Sequence, residues 1–350
     1  RLTRAVPGRL AIATVVSNAV FAFVTGVSIA AAAAFSRIAY PEMKRHGYSD
    51  RFALGCVAGS ACLGMLIPPS VLMIVWAILT EMSIGDLFLA GVLPGLLLTT
   101  FYVLYIVGAA IVTPAVVGED SRSPRPADEG SLARALGNTV LVIALVAGTL
   151  GGIWLGAFTP TEGAGVGAAA SLVLAVAKGV RLKEIGQVVL SVGRTSAPLL
   201  LLLVTAQLYS RVLTMTGFTR VAQDLLLSTG LGPAGVMFLM VLVWFVLGCL
   251  IDSISILLLT VPIFFPIAKA LGIDLLSFAM IGIVAVETGL LTPPFGILVF
   301  TVKAAIQDPR VGVGPIFAGA VPYWIALLTL IAVLWFFPQV ANFLPNLTKA

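Results

Sequence analysis

The amino-acid sequence predicts an all-α polytopic membrane protein, built as an inverted repeat with two re-entrant helical hairpins and two broken transmembrane helices. Three observations support this fold class. Hydrophobic residues make up 60% of the chain and charged residues only 10%, whereas a soluble domain has about 25% charged residues. Apolar runs of about 20 residues, long enough to cross a bilayer, recur along the whole length. In addition, one stretch of the sequence is written twice.

The clearest landmarks of the duplication are two proline pairs in apolar context, Pro68-Pro69 and Pro293-Pro294, which lie 225 residues apart. The further matches at this offset include Ser28 with Ser253, Pro41 with Pro266, and Gly64 with Gly289. A proline pair inside an apolar span removes two backbone donors, so the freed carbonyls must face protein or a cavity. Duplicated segments interrupted by Pro and Gly are typical of the ligand-binding regions of membrane transporters.

The first repeat is expected at 1–113, with a hairpin at 10–40, a broken helix at 52–80 and a scaffold helix at 87–112. A cytoplasmic linker carrying both charge signs follows at 114–134.

Scaffold or connecting helices are expected over 135–230. The expected spans are 136–157, 163–180 and 195–215, and amphipathic interfacial segments are expected at 181–189 and 218–228. The second repeat, 231–350, is predicted to contain a hairpin at 236–268, a broken helix at 275–305 and a final helix at 316–340.

The distribution of basic residues favours hairpins that enter and leave on the same side of the membrane. Five crossings then separate the two hairpins, so the second enters from the opposite side and the repeat is inverted. The Lys and Arg residues that fall outside the cytoplasmic face are only Arg211, Arg220, Lys269 and Lys349, out of 20. This asymmetry follows the positive-inside rule, and it would be weaker if each hairpin were a full crossing.

Each half supplies a hairpin tip and a helix break, which together form the candidate site. The residues concerned are Thr25, Gly26, Ser28 and 64–69 in the first half, and Asp252, Ser253, Ser255, Glu287, Thr288, Gly289 and 292–294 in the second. Hydroxyl and freed carbonyl oxygens suit Na⁺, and the N-termini of half-helices favour a carboxylate. The pattern therefore predicts that a cation and an organic anion bind together.

Asp252 and Glu287 are carboxylates within apolar runs, where an acidic residue is costly and usually functional. Two roles remain open for each: a ligand or close neighbour of the bound species, or a cap on a half-helix.

Other chemistries find little support. His46 is the single histidine and lies in a basic loop, and no zinc, Walker or Ser/His/Asp arrangement is present. We therefore predict that the protein is not an enzyme and holds no transition metal and no organic cofactor. Thr159 and Glu162 have the spacing of a helix capping box. The cysteines, without metal or disulfide spacing, are Cys56, Cys62 and Cys249.

Several motifs resemble the large membrane (M, DctM-like) subunit of tripartite ATP-independent periplasmic (TRAP) transporters. They are 47–52 (GYSDRF), 63–70 (LGMLIPPS), 90–95 (AGVLPG), 159–162 (TPTE) and 287–294 (ETGLLTPP). The resemblance covers essentially the whole chain. It departs at Ala285, where the family usually has Asn, and at Thr288, which is commonly Ile. The opening helices of the family are absent, so we expect an N-terminally truncated sequence.

The resemblance implies an elevator-type architecture of the ion-transporter superfamily, in which the domain with both hairpins slides against a scaffold. It implies Na⁺ symport of an organic acid, such as a C4-dicarboxylate, a sugar acid or an oxo acid, across the bacterial cytoplasmic (inner) membrane. The implied partners are a small four-helix membrane subunit, a periplasmic substrate-binding protein and the lipid bilayer, with no nucleic acid.

The resemblance also assigns residues to sites. Carried over by motif, sodium site 1 comprises Ser28, Gly64 and Ile67, and sodium site 2 comprises Ser253, Gly289 and Thr292. The positions expected to contact substrate or surround these ligands are Thr25, Gly26, Pro68, Pro69, Asp252, Glu287, Thr288, Pro293 and Pro294.

Three alternatives remain at this stage. A stand-alone Na⁺/carboxylate symporter of a related inverted-repeat family would not depend on a binding protein. An intramembrane enzyme would need a nucleophile with a base, or a metal motif. A passive channel would conduct without saturation by sodium.

Overall fold

The computed structural model describes residues 8–118, 129–228 and 230–348, and within these ranges the regular structure is helical. The predicted linker at 114–134 lies partly outside the described residues, at 119–128. The α-helices are α1 (Arg9–Thr25), α2 (Ser28–Arg45), α3 (Asp50–Ala61), α4 (Leu63–Leu66), α5 (Val71–Thr80), α6 (Ile84–Val112), α7 (Glu129–Trp154), α8 (Pro160–Ala177), α9 (Leu182–Met215), α10 (Phe218–Ser228), α11 (Gly232–Gly248), α12 (Ser253–Ala270), α13 (Leu275–Gly289), α14 (Ile297–Ile306), α15 (Val313–Phe336) and α16 (Gln339–Leu347).

Six helical stretches are long and apolar enough to cross a membrane. They are Asp50–Thr80, Ile84–Val112, Pro160–Ala177, Leu182–Met215, Ser253–Ala270 and Val313–Phe336. Many large apolar side chains on these helices are exposed, such as Leu104, Leu201 and Ile325, as is expected of surfaces that face lipid rather than water. The chain is therefore an all-helical, polytopic membrane protein, as predicted from its composition.

The chain divides into two compact units. The first comprises Arg1–Arg125 and Leu226–Ala350, and the second comprises Pro126–Leu225. Within the second unit α7 packs on α8. The helix α8 begins with the predicted capping box, in which the Thr159 hydroxyl accepts from the Glu162 backbone N–H and the Glu162 carboxylate accepts from Thr159 N.

The core of the first unit is shared by its two chain segments. Trp76 of α5 packs edge-on against Phe278 of α13, and Trp244 of α11 contacts both rings. Elsewhere α3 crosses α15 at Gly55 and Gly319, where a Cβ on Gly55 would overlap the Gly319 backbone. Small residues allow such close helix crossings in membranes. Both halves of the sequence therefore pack into a single body.

Several helix boundaries differ from the sequence expectation by a few residues, and two of the differences have a clear physical reason. The predicted interfacial segment 181–189 and span 195–215 form one continuous helix, α9, despite the internal Pro198. An unbroken helix satisfies the backbone in an apolar environment. The last span ends at Phe336 rather than at 340, because Pro338 drives Phe337 out of the helical region.

Candidate functional site

The first hairpin tip is a two-residue connection between α1 and α2. Helix α1 ends at Thr25, Gly26 adopts a φ of 59°, and α2 begins at Ser28. A Cβ on Gly26 would lie 2.5 Å from the carbonyl oxygen of Pro69, so glycine is required both for the conformation and for the space. The backbone N–H of Val71 donates to Gly26 O at 3.2 Å. The tip is therefore held against the first helix break by main-chain contact.

The first helix break separates α4 from α5 at the pair Pro68-Pro69. Prolines have no N–H, so the carbonyls of Gly64 and Met65 lose the donors that a continuous helix would supply. The Ser70 hydroxyl replaces one of these donors, with Ser70 Oγ 2.5 Å from Met65 O. The Gly64 carbonyl is left without a helical donor.

The residues predicted for sodium site 1 come together at this break. A Cβ on Gly64 would lie 3.2 Å from both Ser28 N and Val27 O, so the hairpin tip touches α4. Ile67 is the last residue before the proline pair and is buried, with its backbone N–H bonded to Leu63 O at 2.9 Å. Ser28, Gly64 and Ile67 thus occupy one small region.

The second hairpin tip is longer. Helix α11 ends at Gly248 and α12 begins at Ser253. Asp252 is exposed and caps α12, because its Oδ1 accepts from Ser255 N at 3.0 Å and its Oδ2 from the Ser255 hydroxyl at 2.6 Å. A Cβ on Gly289 would lie 2.6 Å from Gly248 Cα. The capping role is observed for Asp252, while a ligand role stays a prediction.

The second helix break separates α13 from α14. The Thr292 backbone N–H donates to Gly289 O at 2.8 Å, and the Thr292 hydroxyl donates to Thr288 O at 2.9 Å. The proline pair itself, Pro293 and Pro294, is exposed. The structure therefore brings Gly289 and Thr292 into direct contact and places Ser253 at the neighbouring tip.

Glu287 connects the two tips. It is 1% exposed, and its Oε1 accepts from the Ser253 hydroxyl at 3.1 Å. Ser28, which is 0% exposed, is also a close neighbour of this carboxyl group. Among the described residues, neither Glu287 Oε2 nor Ser28 Oγ has a hydrogen-bond partner. The Cys62 thiol points to Glu287 O at 3.9 Å.

These contacts lie where equivalent positions of the duplicated stretch meet. Cys62 and Glu287 differ by 225 in number, which is also the offset between Ser28 and Ser253. The Glu287 carboxyl therefore lies near both hairpin serines, which are themselves equivalent positions of the duplicated stretch.

The chemistry of this region is that of hard oxygen ligands. Hydroxyl groups, carbonyls at helix ends and one carboxylate are suited to an alkali or alkaline-earth cation rather than to a soft transition metal. The described residues contain no group of three or more His, Cys, Asp or Glu that could hold a metal ion.

Sequence reasoning missed one buried polar contact between the helices α1 and α3. Asn18, in the middle of α1, is fully buried and its Nδ2 donates to Ser60 Oγ of α3 at 2.6 Å. Asn18 Oδ1 has no partner among the described residues. The available signal was an amide in the middle of an apolar helix, which usually marks an interhelical contact or a functional position in membranes.

Comparison with known proteins assigns the chain to a family. Residues 2–340 match the model of the tripartite ATP-independent periplasmic transporter, DctM component. A C4-dicarboxylate TRAP transporter large permease protein of Pseudomonas aeruginosa is 37% identical over 343 residues, covering 97% of this chain and 78% of that protein. An ectoine/5-hydroxyectoine large permease of Ruegeria pomeroyi is 32% identical over 346 residues, covering 97% and 78%.

A sialic acid TRAP transporter large permease of Vibrio cholerae is 29% identical over 353 residues, covering 98% of this chain and 78% of that protein. The family model matches nearly the whole of this chain. The chain therefore belongs to the DctM family, the large permease subunits of bacterial TRAP transporters, and is a multi-pass membrane transport protein rather than an enzyme.

Proposed function

We propose that this permease imports an organic acid by Na⁺ symport, with one sodium site at each pair of hairpin tip and helix break. Sodium site 1 comprises Ser28, Gly64 and Ile67, and sodium site 2 comprises Ser253, Gly289 and Thr292. The observation that carries the proposal is that each tip packs by main-chain contact on its own break, at Gly26 against Pro69 and at Gly248 against Gly289.

The polarity of the helix ends supports two ligands of opposite charge. Helices α1, α4, α11 and α13 end in this region and present carbonyl groups, which carry partial negative charge. Helices α2 and α12 begin there, at Ser28 and Ser253, and present N–H groups with partial positive charge. Carbonyl ends coordinate Na⁺ and N-terminal ends receive a carboxylate, as in other transporters with broken helices.

The substrate class follows from this arrangement and from the relatives. Relatives at 29–37% identity are named for C4-dicarboxylates, ectoine and sialic acid, and each of these compounds carries a carboxylate. A C4-dicarboxylate is our first choice, with sugar acids and oxo acids next. Thr25, Gly26, Pro68, Pro69, Thr288, Pro293 and Pro294 surround the ligand in this proposal.

The transport cycle needs partners and a moving body. The family implies a small four-helix membrane subunit and a periplasmic binding protein that delivers the substrate. We propose that α1–α2 and α11–α12 are re-entrant hairpins of an inverted repeat. The part of the chain that holds both tips would then carry the substrate in an elevator motion against a scaffold.

The test is uptake by the full-length permease with its small subunit in proteoliposomes. Labelled C4-dicarboxylates, sugar acids and oxo acids are presented under an inward Na⁺ gradient, with and without the binding protein. We expect uptake that requires both Na⁺ and the binding protein. Uptake of equal rate in K⁺ alone would refute sodium coupling, and uptake indifferent to the binding protein would indicate a stand-alone symporter.

A further inference from the structure

The Glu287 carboxylate is buried without a counter-charge. It lies in α13, is 1% exposed, and contacts serine hydroxyls and a thiol rather than a basic side chain. None of the ion pairs among the described residues involves it. An ionised carboxylate in an apolar interior is strongly unfavourable unless a cation or several donors compensate it. The Ser253 hydroxyl donates the one hydrogen bond of defined geometry that the described residues make to this carboxylate. One such bond leaves most of the negative charge uncompensated.

The two oxygens of Glu287 differ in their surroundings. Oε1 accepts from Ser253 Oγ at 3.1 Å, within the second half of the chain. Oε2 has no partner among the described residues, and neither has the fully buried Ser28 Oγ, the hydroxyl of the first hairpin tip. A serine hydroxyl can donate to a carboxylate, but these two groups make no hydrogen bond of defined geometry. Both therefore keep oxygen lone pairs that a bound cation could accept.

The first break supplies another oxygen to the same place. Gly64 lies against the backbone of Val27 and Ser28, and Pro68 cannot donate to the Gly64 carbonyl. A carboxylate oxygen, a hydroxyl and a freed carbonyl form a ligand set with one negative charge. One monovalent hard cation matches this set in charge and in ligand type.

We infer that Glu287 Oε2 is a direct ligand of the cation at the first hairpin tip, together with Ser28 Oγ and the Gly64 carbonyl, so that the second repeat completes the site of the first. The inference rests on the proposed function and deepens it. The first repeat has no carboxylate at the equivalent position, which is Cys62. Sodium site 1 therefore has a charged ligand, while the hydroxyl of site 2 is already bonded to the same carboxyl group.

The test measures sodium binding directly on the complex of full-length permease and small subunit. Binding of radioactive sodium is titrated for wild type and for Glu287→Gln, which keeps the shape and the Oε1 acceptor but removes the charge. With two sodium sites, the wild-type titration should show a high-affinity phase from site 1, which has the charged ligand, and a low-affinity phase from site 2. In Glu287→Gln we expect the high-affinity (tighter) phase to weaken by tenfold or more, as for the loss of one partner from a buried charge pair. The low-affinity (weaker) phase should stay near its wild-type position.

Matched variants separate ligation from general damage. Glu81→Gln makes the same chemical change at an exposed position and should bind sodium as wild type does. Ser28→Ala should weaken the tighter phase, whereas Ser253→Ala, which leaves the charge in place, should not. If Glu287→Gln fails to assemble, Glu287→Asp keeps the charge and should assemble with the tighter phase weakened several-fold.

The outcomes are distinguishable. An assembled Glu287→Gln complex whose two phases match wild type would overturn the inference and leave sodium coupling intact. If Glu287→Gln does not assemble, an unchanged tighter phase in both Glu287→Asp and Ser28→Ala would also overturn it. A wild-type complex that binds no sodium would overturn the proposed function, and the inference with it.

Discussion

The two breaks of the first unit have similar backbones and different polar contacts. At the first, Ser28 Oγ has no partner among the described residues, the Gly64 carbonyl lacks a helical donor, and Pro68 is buried. At the second, the corresponding serine bonds to Glu287, the Gly289 carbonyl accepts from Thr292 N, and the prolines are exposed. The duplicated stretches follow similar paths, but the first serine has no partner among the described residues whereas the second is bonded to Glu287.

Substituting the equivalent glycines should give the largest difference between the halves. A Cβ on Gly289 would lie 2.5 Å from Phe245 O and 2.6 Å from Gly248 Cα, both backbone atoms, whereas the closest approach at Gly64 is 3.2 Å. We expect Gly289→Ala to lower the free energy of unfolding by about 2–3 kcal/mol and to abolish uptake. Gly64→Ala should cost about 1 kcal/mol or less. Thermal unfolding of the purified complex measures both, and equal losses would contradict the asymmetry.

Substituting the two hairpin serines should separate stability from sodium dependence. Ser253→Ala leaves Glu287 Oε1 buried without a partner, so we expect a loss of about 1–3 kcal/mol in unfolding free energy. Ser28 Oγ has no protein partner among the described residues, so Ser28→Ala should change stability little. It should instead raise the sodium concentration for half-maximal uptake several-fold. Uptake against Na⁺ concentration, paired with thermal unfolding, tests this split, and a reversed order of the two effects would refute it.

The caps of the second helices of the hairpins offer a smaller contrast. Asp252 caps α12 through Ser255, whereas the equivalent Val27 provides no side-chain cap for α2. Asp252→Ala should cost about 1 kcal/mol, and Asp252→Asn, which can still cap, only a few tenths. Sodium binding should be nearly unchanged in both variants. A tenfold weakening of sodium binding in Asp252→Asn would instead assign this carboxylate a ligand role.

The smallest effect is expected at the C-terminal end of α2, away from the hairpin tip. Lys44 lies 3.3 Å from Asp308 and 3.4 Å from Asp50, while its repeat equivalent, Lys269, makes no ion pair among the described residues. The backbone N–H of Arg310, and then Lys44, lower the pKa of the Asp308 carboxyl. Such a group stabilises the fold above its ordinary pKa and loses that contribution as the pH falls through the lowered value.

Asp308→Asn should therefore lower the melting temperature slightly at neutral pH, and the difference from wild type should vanish in acid. Melting temperature against pH, with Asp224→Asn as an exposed control in the other unit, measures the effect. Raising the salt concentration should reduce it further, because exposed pairs are screened. A difference that grows as the pH falls would have the wrong sign.

Much of the fold could be read from the sequence because its signals are local. Apolar runs of sufficient length predict membrane helices, and the proline pairs interrupt them at 68–69 and 293–294 as their missing donors require. The helix ends were less predictable. Leu182–Met215 form one helix because backbone satisfaction in an apolar medium outweighs the local amphipathic pattern of its first turns.

Parts of the candidate site were also open to prediction. The repeat offset pairs Ser28 with Ser253 and Gly64 with Gly289, and the structure brings each serine next to the break of its own half. The Asp252 cap, through Ser255 three residues on, was one of the two roles that the sequence left open for this residue. The buried contact of Asn18 with Ser60 joins positions 42 residues apart and leaves no local pattern.

By itself the sequence determined the class of protein, the duplication and the positions of the breaks. Composition and missing backbone donors have the same effect whatever residues surround them in the folded chain. Only the tertiary structure decided that Glu287 of the second half lies beside Ser28 of the first and opposite its own repeat equivalent, Cys62. That meeting arises because segments from both halves of the sequence pack into one compact unit. The energy of a buried charge depends on what surrounds it in space, and no spacing along the chain records those surroundings.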